Sequence, residues 1–186
     1  MDMKKIILIL FILCLHTMSD AQSGVERGAR TQYIETSELK NDTLQTTKRI
    51  YQEFDKKGNL LMEILLNSDS TIKSKETFTY NRKGAEVENI KYDGSGKLVW
   101  KAVTDYNKFN DKKEVVVFDS ENIVLEKTLF NYDLFGRKTE ERSVDRNGTQ
   151  LRRITYNYDK KGALIERTTY DEKDKIIAEK KYIYTY

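Results

Sequence analysis

Aromatic and apolar residues recur at a fixed interval along most of the chain. Phe54 begins a series with a spacing of 26 residues, which continues with Tyr80, Tyr106, Tyr132, Tyr158 and Tyr184. A weaker second series lies twelve residues further on in each interval: Leu66, Tyr92, Phe118, Val144 and Tyr170. A period kept without insertion or deletion is the sequence signature of a repeat architecture. The chain is therefore predicted to hold five repeats, each a pair of 12- and 14-residue halves.

A short polar segment follows each of these positions except Tyr184 and predicts a turn. Nine of the ten segments begin with Asp or Asn and have Gly, Asn or Asp in fourth place, as in Asp159-Lys-Lys-Gly162. The tenth, Asn67-Ser-Asp-Ser70, is the weakest copy. An Asp or Asn side chain hydrogen-bonds the backbone of its own turn, and Gly tolerates the left-handed conformation. The pattern predicts type I turns closed by a bulge, which join antiparallel strands.

The segments between the turns are rich in Val, Ile, Thr, Tyr and Phe and contain no proline, as strands require. The predicted fold is all-β, an antiparallel meander of about ten strands from five 26-residue hairpin repeats over residues 54–186. We expect an elongated, twisted or curled single sheet, because neither face is uniformly apolar as a sandwich would demand. Residues 22–53 are predicted to add one or two irregular strands, near 32–36 and 44–52, after a disordered stretch over 22–30.

Regular alternation of side chains along each strand predicts which residues share a face. It places Leu98, Trp100 and Tyr106 together, and it places Glu140 and Arg142 on the face of Phe130. Neither face forms the continuous apolar band that a membrane-spanning sheet presents to lipid. The chain is therefore predicted not to span a membrane.

The first 21 residues have the order of features of a secretory signal peptide. Lys4 and Lys5 precede an unbroken apolar stretch, residues 6–15, and a small-residue site ends at Ala21. Ten apolar residues are too few for a membrane helix, which needs about 20. Lipidation at Cys14 is disfavoured, since a large residue, Leu13, precedes it. Cleavage is predicted between Ala21 and Gln22, so the protein is expected to be exported.

Composition narrows the chemistry of the mature chain. The single histidine and cysteine, His16 and Cys14, both lie in the predicted signal peptide. Without them no Ser–His or Cys–His pair and no His- or Cys-ligated metal site can form, so we expect a protein that is not an enzyme and holds no cofactor or metal. The 33 basic and 30 acidic residues nearly balance, which together with export argues against a nucleic-acid partner.

Neighbouring carboxylates leave one enzymatic alternative. Glu86 with Glu88, or Glu140 with Glu141, could in principle serve a carboxylate-dependent glycan hydrolase. Acidic and basic residues alternate throughout the repeats, however, and such a pattern is typical of a charge-paired, solvated sheet surface. Catalytic carboxylates need one differentiated pocket, which uniform repeats do not favour.

Two segments carry a resemblance to a known family. Tyr156-Asn-Tyr-Asp-Lys-Lys-Gly-Ala-Leu164 and Tyr132-Asp-Leu-Phe-Gly-Arg-Lys138 resemble the tyrosine–aspartate (YD, or Rhs-type) repeat, whose hallmark is Tyr-Asp-x-x-Gly-x-Leu. The resemblance covers residues 54–186, although the copies here are longer than the family unit. It implies β-strands that spiral into shells or extended sheets on exported bacterial proteins. The expected location is the periplasm, the cell surface or the exterior of a bacterium.

The sequence thus predicts a structural or binding module of the bacterial envelope or exterior. Its partner would be an envelope protein or a glycan, met by a broad aromatic and charged sheet surface. The residues proposed for that surface are Trp100, Tyr106, Tyr132, Tyr156 and Tyr158. An alternative within the binding class is an accessory or immunity partner of a larger repeat protein, which would pair through an exposed edge strand.

Overall fold

The computed structural model describes Gly28 and residues 30–185. The predicted signal peptide and its cleavage site between Ala21 and Gln22 lie outside the described residues, as does most of the segment expected to be disordered. The chain divides into two compact units, up to Ser70 and from Thr71 onward. In the part that the structure describes, no helix is long and apolar enough to cross a bilayer.

Unit 1 is a three-stranded antiparallel meander. Its strands are β1 (Thr31–Lys40), β2 (Thr43–Phe54) and β3 (Leu60–Leu66). Asn41 and Asp42 join β1 to β2, and both have positive φ, 49° and 58°. Two successive residues with positive φ form the two-residue turn that matches the twist of a hairpin. Where one or two strands were expected ahead of the repeats, the structure has two, and both are longer than the predicted stretches.

Unit 2 is a nine-stranded antiparallel meander in which each strand pairs with the next along the chain. Its strands are β4 (Ile72–Tyr80), β5 (Glu86–Asp93), β6 (Leu98–Tyr106), β7 (Lys112–Asp119), β8 (Val124–Tyr132), β9 (Lys138–Val144), β10 (Gln150–Tyr158), β11 (Leu164–Tyr170) and β12 (Ile176–Lys181). The predicted fold class, an all-β antiparallel meander, is confirmed. Strands β3 to β12 are the ten that the repeats predict.

The turns are built as their sequences predict. In the turn after β8, the Asp133 Oδ1 atom accepts hydrogen bonds from the amides of Phe135 and Arg137, both at 2.9 Å. The same pair of contacts recurs in nine turns, with Asp55, Asn81, Asp93, Asn107, Asp119, Asp133, Asp145, Asp159 and Asp171 as acceptors. The fourth residue of all ten turns has a positive φ, including Ser70 at 68°.

A β-bulge follows each hairpin turn of unit 2 and changes the register of the two strands. Asn131 lies opposite Glu140, yet its neighbour Tyr132 lies opposite Lys138, so Thr139 is an extra residue in β9. Every strand pair of unit 2 contains such a shift, one residue from the turn. A bulge of this kind moves the following residues to the other face of the sheet.

The predicted assignment of residues to faces is therefore wrong beyond the bulges. Phe130 lies opposite Glu141, not Glu140, and Arg142 lies opposite Leu129 on the other face. The grouping of Leu98 with Trp100 is wrong for the same reason. Trp100 lies opposite Lys91, whereas Leu98 lies opposite Tyr92, the next residue of β5, which points to the other face. Trp100 and Tyr106 do share a face, because β6 is regular between them.

Burial in unit 2 concentrates on the face that carries Trp100, Phe130, Tyr132 and Tyr156, which we call the aromatic face. Ile154 in β10 is 1% exposed and Trp100 in β6 is 7% exposed. Its other buried residues are Asn89, Ala102, Thr104, Glu126, Thr128 and Ser143. Polar groups thus occupy much of this buried area. Thr128 and Ser143 satisfy each other across β8 and β9 at 3.0 Å, whereas the buried Asn89 Oδ1 atom has no hydrogen-bond partner among the described residues.

Candidate binding surface

Four strands bring an aromatic and charged cluster together on the aromatic face. Phe130 lies on β8, Lys138 and Glu141 on β9, Tyr156 on β10 and Arg167 on β11. We call these five residues the β8–β11 cluster. Glu141 is paired with Phe130 on one side and with Ile154 on the other, and Tyr156 is paired with Arg167. The bulge at Thr139 is what turns Lys138 and Glu141 toward the same face.

Glu141 is the hub of the β8–β11 cluster. Its Oε1 atom accepts a hydrogen bond of 2.7 Å from the Tyr156 hydroxyl and also pairs with the Lys138 ammonium. The Lys138 Nζ atom lies 4.8 Å from the centre of the Tyr156 ring and 5.8 Å from that of Phe130. The Glu141 side chain is 12% exposed, while that of Lys138 is 34% exposed. A paired, largely buried carboxylate therefore holds a cation against two rings, with part of the cation open to solvent.

Burial and neighbouring charges raise the pKa values of two tyrosines on this face, Tyr132 and Tyr156. Burial raises the pKa of Tyr132 to about 12, with smaller contributions from Asp111 and Glu141. The pKa of Tyr156 is also raised, mainly by burial and then by its hydrogen bond to Glu141, while Arg167 opposes the shift. Both phenols consequently stay protonated and act as hydrogen-bond donors throughout the neutral range.

A series of tyrosine hydroxyls ties successive repeats together. The Tyr132 hydroxyl donates a hydrogen bond of 2.8 Å to the carbonyl oxygen of Lys112, which lies 20 residues earlier at the start of β7. The same contact, with the same separation, joins Tyr106 to Glu86, Tyr158 to Lys138 and Tyr184 to Leu164. These hydroxyls are therefore committed to the protein backbone, and only the ring faces of the tyrosines remain for a partner.

The structure places the five residues proposed for binding on one face but in different environments. Trp100 is buried, so its ring packs inside the protein. Tyr106, Tyr132, Tyr156 and Tyr158 are partly exposed. The Arg137 guanidinium carbon lies 4.8 Å from the centre of the Tyr158 ring. The accessible part of the proposed surface is therefore the tyrosines together with the cations beside them.

The binding residues proposed from the sequence include none of the charged members of the β8–β11 cluster, Lys138, Glu141 and Arg167, although alternation along β9 does place Lys138 on this face. Counting alternate residues from the turn points to Glu140 in place of Glu141, because the count ignores the bulge. The usable signal was the constant 12+14 division of the repeat, since the extra residue of each bulge recurs at the same place in every half-repeat.

The carboxylate pairs considered for glycan hydrolysis do not share a site. Glu140 accepts a hydrogen bond of 3.3 Å from Asn131, whereas Glu141 bonds Tyr156 on the aromatic face. Glu86 lies opposite Tyr80, and Glu88 lies opposite Thr79 on the other face. Each pair is thus split between the two faces of the sheet. Within residues 28 and 30–185, no group of three or more His, Cys, Asp or Glu side chains could hold a metal ion.

Comparison with known proteins shows a likeness in fold. No family model matches the sequence, and no curated protein matches it. Among solved structures, the chain is similar to the TcdB2–TccC3 complex without its hypervariable C-terminal region, with a TM-score of 0.54 and 14% sequence identity. The match covers 84% of this chain and 8% of that one.

Two further structures have lower scores. Another structure of TcdB2–TccC3 has a TM-score of 0.30 at 13% identity, with 81% of this chain and 10% of that chain covered. A porin-like protein from Bacteroides uniformis has a TM-score of 0.35 at 10% identity, with 76% and 78% covered. The first match alone carries weight, and it shows that this chain has the fold of a small part of a much longer chain. The chain is a β-repeat module.

Proposed function

We propose that this protein is a non-enzymatic binding module that recognises an envelope protein or glycan through the aromatic face of unit 2. The observation that carries the proposal is the β8–β11 cluster, where Glu141 holds Lys138 against the Tyr156 and Phe130 rings. A cation fixed beside partly exposed rings offers both an apolar surface and a charge-assisted hydrogen-bond donor. Sugar rings and peptide side chains are both suited to such a surface.

The rest of the geometry supports a binding role over catalysis. The tyrosine hydroxyls donate hydrogen bonds to backbone carbonyls or to Glu141, so they serve to position the rings. Glu141 is engaged by Lys138 and Tyr156, and the neighbouring Glu140 lies on the other face. We therefore propose that the carboxylates of this surface stabilise it and do not attack a substrate.

Affinity capture with matched variants tests this proposal. The immobilised full chain is exposed to envelope extract and to soluble envelope glycans, as wild type, as Lys138→Gln and as Lys127→Gln. Lys127 is the control, because it makes an ion pair of 3.3 Å with Glu114 on the opposite face. A partner held by wild type and Lys127→Gln but lost by Lys138→Gln is the expected result. If Lys138→Gln and Lys127→Gln retain the partner equally, the β8–β11 cluster is not the binding site. Release of shortened glycan fragments would contradict the proposal that the protein is not an enzyme.

The proposal includes export and kinship with the YD-type repeat proteins. Export is motivated by the charged, apolar and small-residue order of residues 1–21, and kinship by the Tyr-Asp-x-x-Gly pattern set on a regular period. Amino-terminal sequencing of the protein from its native host tests export directly. A mature chain that begins at Gln22 is expected, and a chain that retains residues 1–21 would refute it.

A second candidate function is that of an accessory or immunity partner of a larger repeat protein. It is favoured by β12, which pairs with β11 on one side and whose six residues are all exposed. A strand of this kind can add to the sheet of another protein. Replacing Glu179 by Pro would remove a backbone donor on the free side of β12, because the Tyr182 amide bonds Ile165 and the amides of Lys180 and Ala178, in the same register, also point to β11. Loss of the captured partner in that variant, with retention in Lys138→Gln, would favour this candidate over the aromatic face.

A further inference from the structure

The turns of unit 2 gather at two ends of the sheet that differ in chemistry. In a meander, alternate turns lie at the same end, so the turns at residues 81–84, 107–110, 133–136 and 159–162 are neighbours. We call this the tyrosine end. The Asn81 side-chain amide lies 3.3 Å from the Asn110 Oδ1 atom, and Arg137 stacks on Tyr158, so adjacent turns are in contact. Neighbouring turns are two strands apart, which corresponds to about 10 Å.

Apolar side chains project from the middle of the tyrosine end. Leu134 is 100% exposed, Phe135 82% and Phe109 73%. They occupy the second and third places of hydrogen-bonded turns, with Gly136 and Asn110 closing those turns in the left-handed conformation. Three large apolar side chains at neighbouring turn apices form an exposed patch of the kind that marks an interaction site. With such exposure they protrude from the sheet end.

Positive charge surrounds this patch. The apices of the four turns carry five cations and no acidic residue: Arg82, Lys83, Lys108, Lys160 and Lys161. In the turn at residues 133–136, the acidic residue Asp133 lies at the base of the turn, where it accepts hydrogen bonds from two backbone amides and from Arg137. Cations also lie over the exposed rings, since Lys108 is 4.9 Å from the Phe109 ring centre and Arg137 is 5.1 Å from that of Phe135.

The opposite end of unit 2 provides an internal comparison. Its four turns, at residues 93–96, 119–122, 145–148 and 171–174, have the same backbone hydrogen bonds. Their apices carry two acidic and two basic residues, Glu121, Glu172, Arg146 and Lys173, and no large apolar side chain. The turn fold therefore does not require either the apolar tips or the excess of positive charge. Both features are specific to the tyrosine end.

We propose that the tyrosine end docks on an anionic phospholipid surface. Protruding apolar and aromatic tips enter the boundary between headgroups and acyl chains, while flanking Lys and Arg residues pair with anionic headgroups. A lipid surface deforms around separate tips, whereas a folded protein partner would need a complementary pit for each. The proposal does not depend on the aromatic face, which is a different surface of unit 2.

A site-specific reporter tests the contact in the full chain. Phe135→Trp places a fluorophore at the tyrosine end, and Ser120→Trp places one at the opposite end, while the native Trp100 is buried and common to both. Each variant is mixed with vesicles of phosphatidylcholine alone or with an equal part of phosphatidylglycerol, made with brominated acyl chains. Quenching of F135W by the anionic vesicles, lost at high salt, is expected, with S120W unaffected. Equal quenching of both variants, or of neither, overturns the proposal.

Charge variants supply an independent measurement. Lys83→Gln with Lys160→Gln removes two charges from the tyrosine end, and Arg146→Gln with Lys173→Gln removes two from the opposite end. Since a Lys near an anionic surface contributes about fivefold in affinity, the first pair should weaken F135W binding at least about fivefold, and the second pair should weaken it less. Equal weakening by both pairs, or equal affinity for vesicles of phosphatidylcholine alone, overturns the proposal. So does binding of soluble polyglutamate without vesicle binding, which would indicate an acidic protein partner.

Discussion

The Tyr132 hydroxyl donates a 2.8 Å hydrogen bond to the carbonyl oxygen of Lys112, and this contact joins the last residue of one strand to the first residue of the strand before it. Tyr106, Tyr158 and Tyr184 make the same contact over the same separation of 20 residues. The 26-residue tyrosine period therefore has two physical roles. The ring packs on the sheet, and the hydroxyl satisfies a carbonyl that lies beside a bulge.

Loss of this hydroxyl should destabilise the fold. Tyr132→Phe leaves the ring in place and removes the donor to Lys112, so the free energy of unfolding is expected to fall by about 0.5–1.5 kcal/mol. Tyr170→Phe is the control, because the contact that the structure gives for Tyr170 is between its ring and the Arg153 guanidinium, at 4.0 Å. Urea unfolding followed by circular dichroism measures both. A loss in Tyr132→Phe no larger than in Tyr170→Phe would contradict the role of the hydroxyl.

The left-handed position of the turns predicts opposite effects for two substitutions. Gly148 has a φ of 84° with open space around the position of a Cβ atom, so Gly148→Ala should cost about 1 kcal/mol from backbone strain alone. Asn122 has a φ of 64°, so Asn122→Gly should stabilise the protein by less than about 1 kcal/mol. Thermal unfolding of both variants shows whether each substitution raises or lowers stability. A lower midpoint temperature for Asn122→Gly, as expected for Gly148→Ala, would contradict the prediction.

The pair at the centre of the β8–β11 cluster should be strongly coupled. Glu141→Gln, Lys138→Met and the double variant form a thermodynamic cycle, and we expect a coupling of about 0.5–3 kcal/mol because the carboxylate is mostly buried. The comparison pair is Lys181 with Glu179, whose side chains are 63% and 41% exposed. Exposed pairs contribute about 0–1 kcal/mol. A coupling in the cluster that is smaller than in the comparison pair would refute the view that burial strengthens it.

Glu86 should make stability depend on pH. Burial raises the pKa of this carboxyl above its ordinary value of 4.5, with Lys112 opposing the shift. The folded chain therefore binds this proton more tightly than the unfolded chain. The associated stability is present below the ordinary pKa and is lost as the pH rises through the raised value.

Glu86→Gln mimics the protonated carboxyl and should be more stable than wild type at neutral pH, with the difference shrinking toward pH values below the ordinary pKa. Denaturant unfolding over that range measures the difference. Glu121→Gln, on an exposed turn, gives the background effect of removing one surface carboxylate. If Glu86→Gln is more stable than wild type by the same amount in acid, the raised pKa of Glu86 is not the cause of the difference.

Most of the candidate surface could not be predicted residue by residue, and Glu141 shows why. Period and turn chemistry locate β9 correctly, but counting alternate residues from Gly136 selects Glu140. The extra residue Thr139 reverses the count, and no residue type marks it; only the constant place of the bulge in each half-repeat reveals it. Trp100 illustrates a second limit, since a lone tryptophan suits either a binding surface or a packed interior, and its burial depends on neighbouring strands.

The local sequence determined the elements of this protein. An Asp or Asn begins each turn of the repeats, a residue with positive φ lies three places on, and β-branched or aromatic residues fill the strands between turns. Each of these features acts within a few bonds, so it can be read along the chain. The tertiary structure decided which side chains meet. Bulge positions reverse the faces, the reach of a tyrosine hydroxyl joins residues 20 apart, and alternate turns assemble Phe109, Leu134 and Phe135 at one end. These relationships depend on cross-strand geometry, which pairs residues that are distant in sequence.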